Sequence, residues 1–153
     1  MLANGGYVDD SPQAARADAL SFTGEPLAAD VEVLGTIVAH LAHRSEHADA
    51  DLFVRVSDVD PRGRSTNVTE VYRRLDPDRG DASVELRLTD TAHRFRRGHR
   101  IRLIVAGGSF PQYARNLGTG ENPTTGSTFV TNRHGIEHAD GASWIELPIL
   151  PMA

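Results

Sequence analysis

Apolar and polar residues alternate with a period of two along most of the chain, the pattern of strands with one buried face. Ala82, Val84, Leu86 and Leu88 alternate with Ser83, Glu85, Arg87 and Thr89. Leu52, Val54 and Val56 face away from Phe53, Arg55 and Ser57, while Ile101, Leu103 and Val105 face away from Arg100 and Arg102. Val31, Val33, Ile37, Ala39 and Leu41 form a longer run in which Gly35 marks a bulge or a close backbone contact. The last run, Ile145, Leu147 and Ile149, is broken by Pro148 and followed by Pro151; the missing amide donors predict an edge position.

Helical spacing occurs in two places. Ser11-Pro12 has the form of an N-cap with proline at the first helical position, predicting a helix that runs from Gln13 toward Ala19. Asp90 or Thr91 could cap a single turn through Ala92 to Phe95, stopped by Gly98. Polar turns such as Asp58 to Gly63 and Asp76 to Gly80 separate roughly seven to nine short strands, which predicts two packed antiparallel sheets. The whole chain, 1–153, reads as one such domain with a lead-in at 1–18.

One connection breaks the rhythm. Residues 107–127 contain Gly107, Gly108, Gly118, Gly120, Gly126, Pro111 and Pro123, and the segment is far longer than the ~4–6 residue median loop. Its Phe110, Tyr113 and Leu117 predict packing against something.

Composition narrows the function classes. A chain of 153 residues can build one core without staples, and the absence of cysteine excludes disulfides, zinc-thiolate sites and thiol nucleophiles. Sixteen basic side chains, all arginine, against twenty-one acidic ones leave a net charge of -5, the wrong sign for nucleic-acid binding. No window reaches the ~20 apolar residues of a membrane span. The polar start Met1 to Asp10 is no secretory signal, so a cytoplasmic location is expected.

Tests for chemistry return little. A nucleophile elbow is written Gly-x-Ser-x-Gly because bulky neighbours block its sharp turn. Gly107-Gly108-Ser109-Phe110-Pro111 and Gly141-Ala142-Ser143-Trp144-Ile145 both fail at the second glycine, so Ser109 and Ser143 are read as loop or turn serines. His40 and His43 point to opposite sides of a strand. His134 and His138, if extended, stand ~13 Å apart, too far to share one ion. No metal and no cofactor is expected. Asp49, Asp51, Asp58 and Asp60 lack the spacing of a calcium loop and are read as solvated turn carboxylates. The basic stretch Arg94, Arg96, Arg97, Arg100 and Arg102 is read as a salt-bridged outer strand face.

The segment Asp90-Thr91-Ala92-His93-Arg94-Phe95-Arg96-Arg97-Gly98-His99-Arg100-Ile101-Arg102-Leu103, followed by Ser109-Phe110-Pro111-Gln112-Tyr113-Ala114-Arg115-Asn116 and Gly118-Thr119-Gly120, resembles the C-terminal domain of the X-prolyl dipeptidyl-peptidase and cocaine esterase family of serine hydrolases. Arg16 to Thr23, Ala50 to Val59 with Arg62 to Ser65, and Ser143 to Pro148 are similar to further motifs of that domain, in the same order. The stretch after Tyr72 is shorter than in the family, and Glu137 to Ala142 is rearranged. The resemblance implies an all-β, galactose-binding-like jelly-roll sandwich with one or two short helical turns. It also implies an α/β-hydrolase catalytic domain as partner, to which the triad belongs, so no catalytic residue is expected here.

On that reading the domain packs on the hydrolase domain and walls its active site through Phe110, Pro111, Tyr113, Arg115 and Asn116, together with Asp51, Leu52 and Phe53. The competing reading is that these residues only hold the long loop on its own sandwich. A free-standing carbohydrate-binding-like module and an oligomerisation domain, giving a homo-oligomer, are the alternatives. The 6% aromatic content argues against the first of these.

Overall fold

The computed structural model describes residues 6–79 and 82–151, so the first five residues of the lead-in and Gly80 of the expected turn lie outside the described residues. Among the described residues ten strands carry the fold: β1 (Ala19–Thr23), β2 (Val31–Gly35), β3 (Val38–Ser45), β4 (Asp51–Val59), β5 (Ser65–Arg74), β6 (Ala82–Arg87), β7 (Thr91–Phe95), β8 (Arg100–Ala106), β9 (His134–Glu137) and β10 (Trp144–Glu146). One antiparallel sheet has the order β1-β8-β4-β5, and it faces a second of order β10-β3-β6 in which β9 shares the β10 edge of β3. The expected all-β sandwich is the observed architecture.

The inward faces are those read from alternation. Leu52, Val54, Val56 and Val105 of one sheet meet Ala39, Leu41, Val84 and Leu86 of the other in a single buried cluster. Burying such a side chain contributes roughly 1.5–3 kcal/mol, which fixes the register, because a one-residue slip turns every one of them outward.

β2 and β7 pair with each other, Val31 opposite Phe95 and Gly35 opposite Thr91. The Leu88 amide donates to the Ile37 carbonyl at 2.9 Å, so the β2–β7 ladder continues the β3–β6 ladder past a bend. Gly35 sits at that bend with φ 120°, and a side chain there would meet Pro148. The tail beyond β10 crosses here too, bridging Ile149 to Val33.

Two local expectations are corrected. The turn expected at Ala92–Phe95 is strand β7, because Thr91, His93 and Phe95 alternate inward with exposed Ala92 and Arg94 and the edge of β2 supplies the ladder partners. The lead-in helix α1 is a single turn, Ser11–Ala14, with Asp10 rather than Ser11 in the N-cap position. It stops early because Ala19 is already paired with Ala106 of β8.

Candidate functional site

β4 is buried on both faces, and that defines the site. Its outward residues stand opposite those of β5 in three cross-strand rungs: Asp51 opposite Arg74, Phe53 opposite Tyr72, and Arg55 opposite Glu70. Side chains directly opposite in an antiparallel pair are close enough to interact. The strand-free segment 107–133 folds back over this ladder and places one residue on each rung.

At the first rung the Asp51 carboxylate, 2% exposed, accepts hydrogen bonds from Arg74 at 2.9 and 3.2 Å, from the Tyr72 hydroxyl, and from the Asn116 amide at 2.8 Å. The Asn116 side chain also accepts from the Gly118 amide at 2.8 Å, so one side chain ties the loop to the sheet and to itself. At the second rung the Tyr113 ring stacks on Tyr72 with centroids 4.3 Å apart and lies 6.4 Å from Phe53. Burial pushes the Tyr72 hydroxyl up to about 12, and its hydrogen bond to the Asp51 carboxylate adds to the effect. Tyr113 is raised as well, by burial and by the nearby Glu70.

At the third rung Gln112 donates to Glu70, which Arg55 also holds. Arg55 lies 5.0 Å from the Phe53 centroid and reaches Gln13 of α1. Asp10, beside it, accepts from the Ser57 hydroxyl at 2.6 Å. A polar chain therefore runs from α1 through β4 and β5 to the loop. Such buried polar groups are tolerated because they find partners, which all members of this chain do, although one oxygen of Asp10, Oδ1, has none.

All the expected site residues except Leu52 come together, in two kinds of place. Asp51 and Phe53 lie beneath the loop, Phe53 having no exposed surface within the chain, whereas Leu52 is corrected: alternation along β4 turns it to the other face, into the core between the sheets. Tyr113 and Asn116 are the half-buried rung contacts. Phe110, Pro111 and Arg115 are exposed on the outer side, with the Phe110–Pro111 peptide bond cis and the Arg115 guanidinium 4.6 Å from the Phe110 centroid. Beside them lies a cavity of about 540 Å³ whose rim includes Val130 and Asn132.

Sequence reasoning missed Tyr72, Arg74, Glu70 and Gln112. The signal was present in β5, where Glu70, Tyr72 and Arg74 recur at every second position, but it has meaning only once β5 is opposite β4. Asn132, also missed, pins the far end of the loop by donating to the His47 and Asp49 carbonyls at 3.2 and 3.1 Å.

The other candidates occupy structural places. Ser109 bonds Gln112, and Ser143 receives the Ala42 amide and donates to the Glu137 carbonyl. His40 stacks on Trp144 at 4.6 Å, and His43 is 3.0 Å from His134. Among the described residues no cluster of three or more histidine or acidic side chains is arranged to hold a metal ion. The acidic group is corrected in part: Asp60 is a turn carboxylate, accepting from the Arg62 and Arg64 amides, but Asp51 is buried and Asp58 is half-buried between His93 at 3.0 Å and His99 at 2.8 Å. In the basic stretch Arg94 pairs with Glu32, Arg100 reaches the Gly24 carbonyl and Arg102 bonds Thr23.

The described residues thus form a β-sandwich with one long loop pinned across an outer face. The family model for the X-Pro dipeptidyl-peptidase C-terminal non-catalytic domain matches residues 3–144, and the chain belongs to that family. It is 33% identical over 162 residues to the cocaine esterase of Rhodococcus sp. (strain MB1 Bresler), an alignment that covers 95% of this chain and 28% of that protein. An aminopeptidase from a marine sediment Thaumarchaeota archaeon superposes with a TM-score of 0.82 at 27% identity, covering 94% of this chain and 27% of its own. An α-amino acid ester hydrolase has the same fold, with a TM-score of 0.84 at 23% identity over 93% of this chain and 27% of that one. The chain therefore spans about a quarter of the length of these relatives, as a non-catalytic C-terminal domain of hydrolases of the X-prolyl dipeptidyl-peptidase and cocaine esterase type.

Proposed function

We propose that this domain packs on an α/β-hydrolase catalytic domain through the outer side of segment 107–133 and forms part of the wall of its active site. One observation carries the reading. The loop is fixed from beneath on three rungs, yet it presents Phe110 at 59% exposure and Phe129 at 72%, with Val130 also exposed. A pinned loop that holds aromatic rings in water is arranged for a partner surface. Tyr113 and Asn116 set the shape of the wall, Phe110, Pro111 and Arg115 touch what lies across it, and Asp51 and Phe53 support it from below, with Leu52 anchoring the same strand in the core.

A wall of this kind contributes water exclusion and positioning, which strengthen the electrostatics of a site and fix the acyl group, without lending a reactive atom. The relatives' names span ester and peptide hydrolysis, so the reaction served is attack on an ester or amide carbonyl, with nucleophile, base and acid all supplied by the catalytic domain. Amide hydrogen exchange tests the reading: residues 107–117 should exchange more slowly when the chain is joined to its hydrolase domain than when it is alone. Equal exchange in the two states would refute it.

A further inference from the structure

The rungs account for Gln112, Tyr113 and Asn116, but among the described residues Phe110 and Arg115 have only their contact with each other. Arg115 is exposed, and among the described residues its guanidinium meets no carboxylate; its contact is the Phe110 ring, 4.6 Å away. A guanidinium lying over a ring keeps its N–H edge free, and that edge is a planar fork matched to a carboxylate. Its neighbours in sequence are tethered to Glu70, Tyr72 and Asp51, so the fork stands on a rigid base.

The geometry points to a carboxylate-binding site in the 540 Å³ cavity, with Arg115 as the anion fork and Phe110 as the apolar face, for a small monocarboxylate carrying a flat or apolar group. The volume falls within the range of small-molecule sites. Charge selects a single negative charge over two. Arg16 and Asp18 of the lining neutralise each other, and Asp51 is neutralised by Arg74, but Asp49, packed against Gly120, adds a carboxylate that penalises a dianion.

The origin of such a ligand rests on the function proposed above. Hydrolysis of an ester or amide turns a neutral acyl compound into a carboxylate, so this site would hold the acid product and disregard the ester from which it came. The site itself belongs to this chain and can be tested without a catalytic domain.

The test is titration of the chain, labelled with 15N-arginine, with sodium benzoate at constant ionic strength, reading the Arg115 Nε–H signal by NMR. Methyl benzoate and inorganic phosphate are the comparison ligands. A saturable benzoate shift in the millimolar range is expected, with no saturable response to methyl benzoate and a weaker one to phosphate. Arg115→Gln should weaken benzoate binding by about tenfold or more. Arg115→Lys should restore little of it, since an ammonium has no fork, and Phe110→Ala should weaken binding while the chain stays folded. No saturable benzoate shift, equal binding of the methyl ester, a phosphate response as strong as that to benzoate, or unchanged affinity in Arg115→Gln would each overturn the site. Benzoate binding that persists while the exchange difference on residues 107–117 is absent would refute the packing reading and leave the site standing.

Discussion

Asp51→Asn is the sharpest probe of the pinned loop. The side-chain shape is kept, but the carboxylate becomes an amide facing donors on every side: Arg74 twice, Tyr72 and Asn116. The Arg74 side chain is 46% exposed and can turn to water, so its share of the loss is small. The bonds from Tyr72 and Asn116 are partly buried, and hydrogen bonds to a charged group contribute ~1.5–3 kcal/mol each, of which the amide oxygen can retain one. The net cost is therefore about 2–3 kcal/mol, which lowers the melting temperature by roughly 5–10 °C in a domain of this size.

Circular dichroism melts give that number, and a spectrophotometric titration of tyrosinate supplies an independent one. Tyr72 is held at about 12 by burial and by Asp51, so in the variant it should fall part of the way toward 10, with burial retaining the rest. The neutral phenol is the form the fold favours. Stability linked to Tyr72 is accordingly whole below its unfolded value near 10 and is lost as pH rises toward 12. An unchanged melting temperature together with an unchanged tyrosine titration would refute the assignment of Asp51 as the anchor of the loop.

Burial of Asp58 works against its ionisation, but the His93 and His99 hydrogen bonds outweigh burial and hold the carboxyl below its ordinary value of 3.8. The stability it contributes is present above that value and lost as pH falls through the depressed one, so Asp58→Asn should cost about 1–3 kcal/mol at pH 6 and flatten the acid limb of a pH–stability curve. Gly118→Ala should destabilise by roughly 1–3 kcal/mol, measured by urea unfolding, since φ is +70° and the new Cβ would stand 2.8 Å from Val130. Gly63→Ala, at φ +89° with open space around it, should cost only the backbone strain of about 1 kcal/mol, and equal losses at the two sites would count against the loop packing. Purified chain should show no esterase turnover of a nitrophenyl ester; activity that disappears on mutating Ser109 or Ser143 would contradict the accessory assignment.

Strand identity was legible from the residues because it is local. Alternation places Leu52, Val54 and Val56 on one face whatever the partner strand turns out to be, and glycine and proline mark the long loop because no ladder can hold them. The motif resemblance identified the domain type for the same reason, being a matter of residue order. Tertiary structure alone decided the rest. Ala92–Phe95 fits a helical turn as well as a strand until the free edge of β2 is there to pair with it. Asp51 looks like a solvated acid until the register sets it opposite Arg74 and the loop brings Asn116 over it. Hydrogen-bond partners at separations of 23 and 65 residues leave no periodic trace, so they emerge only when the chain is folded.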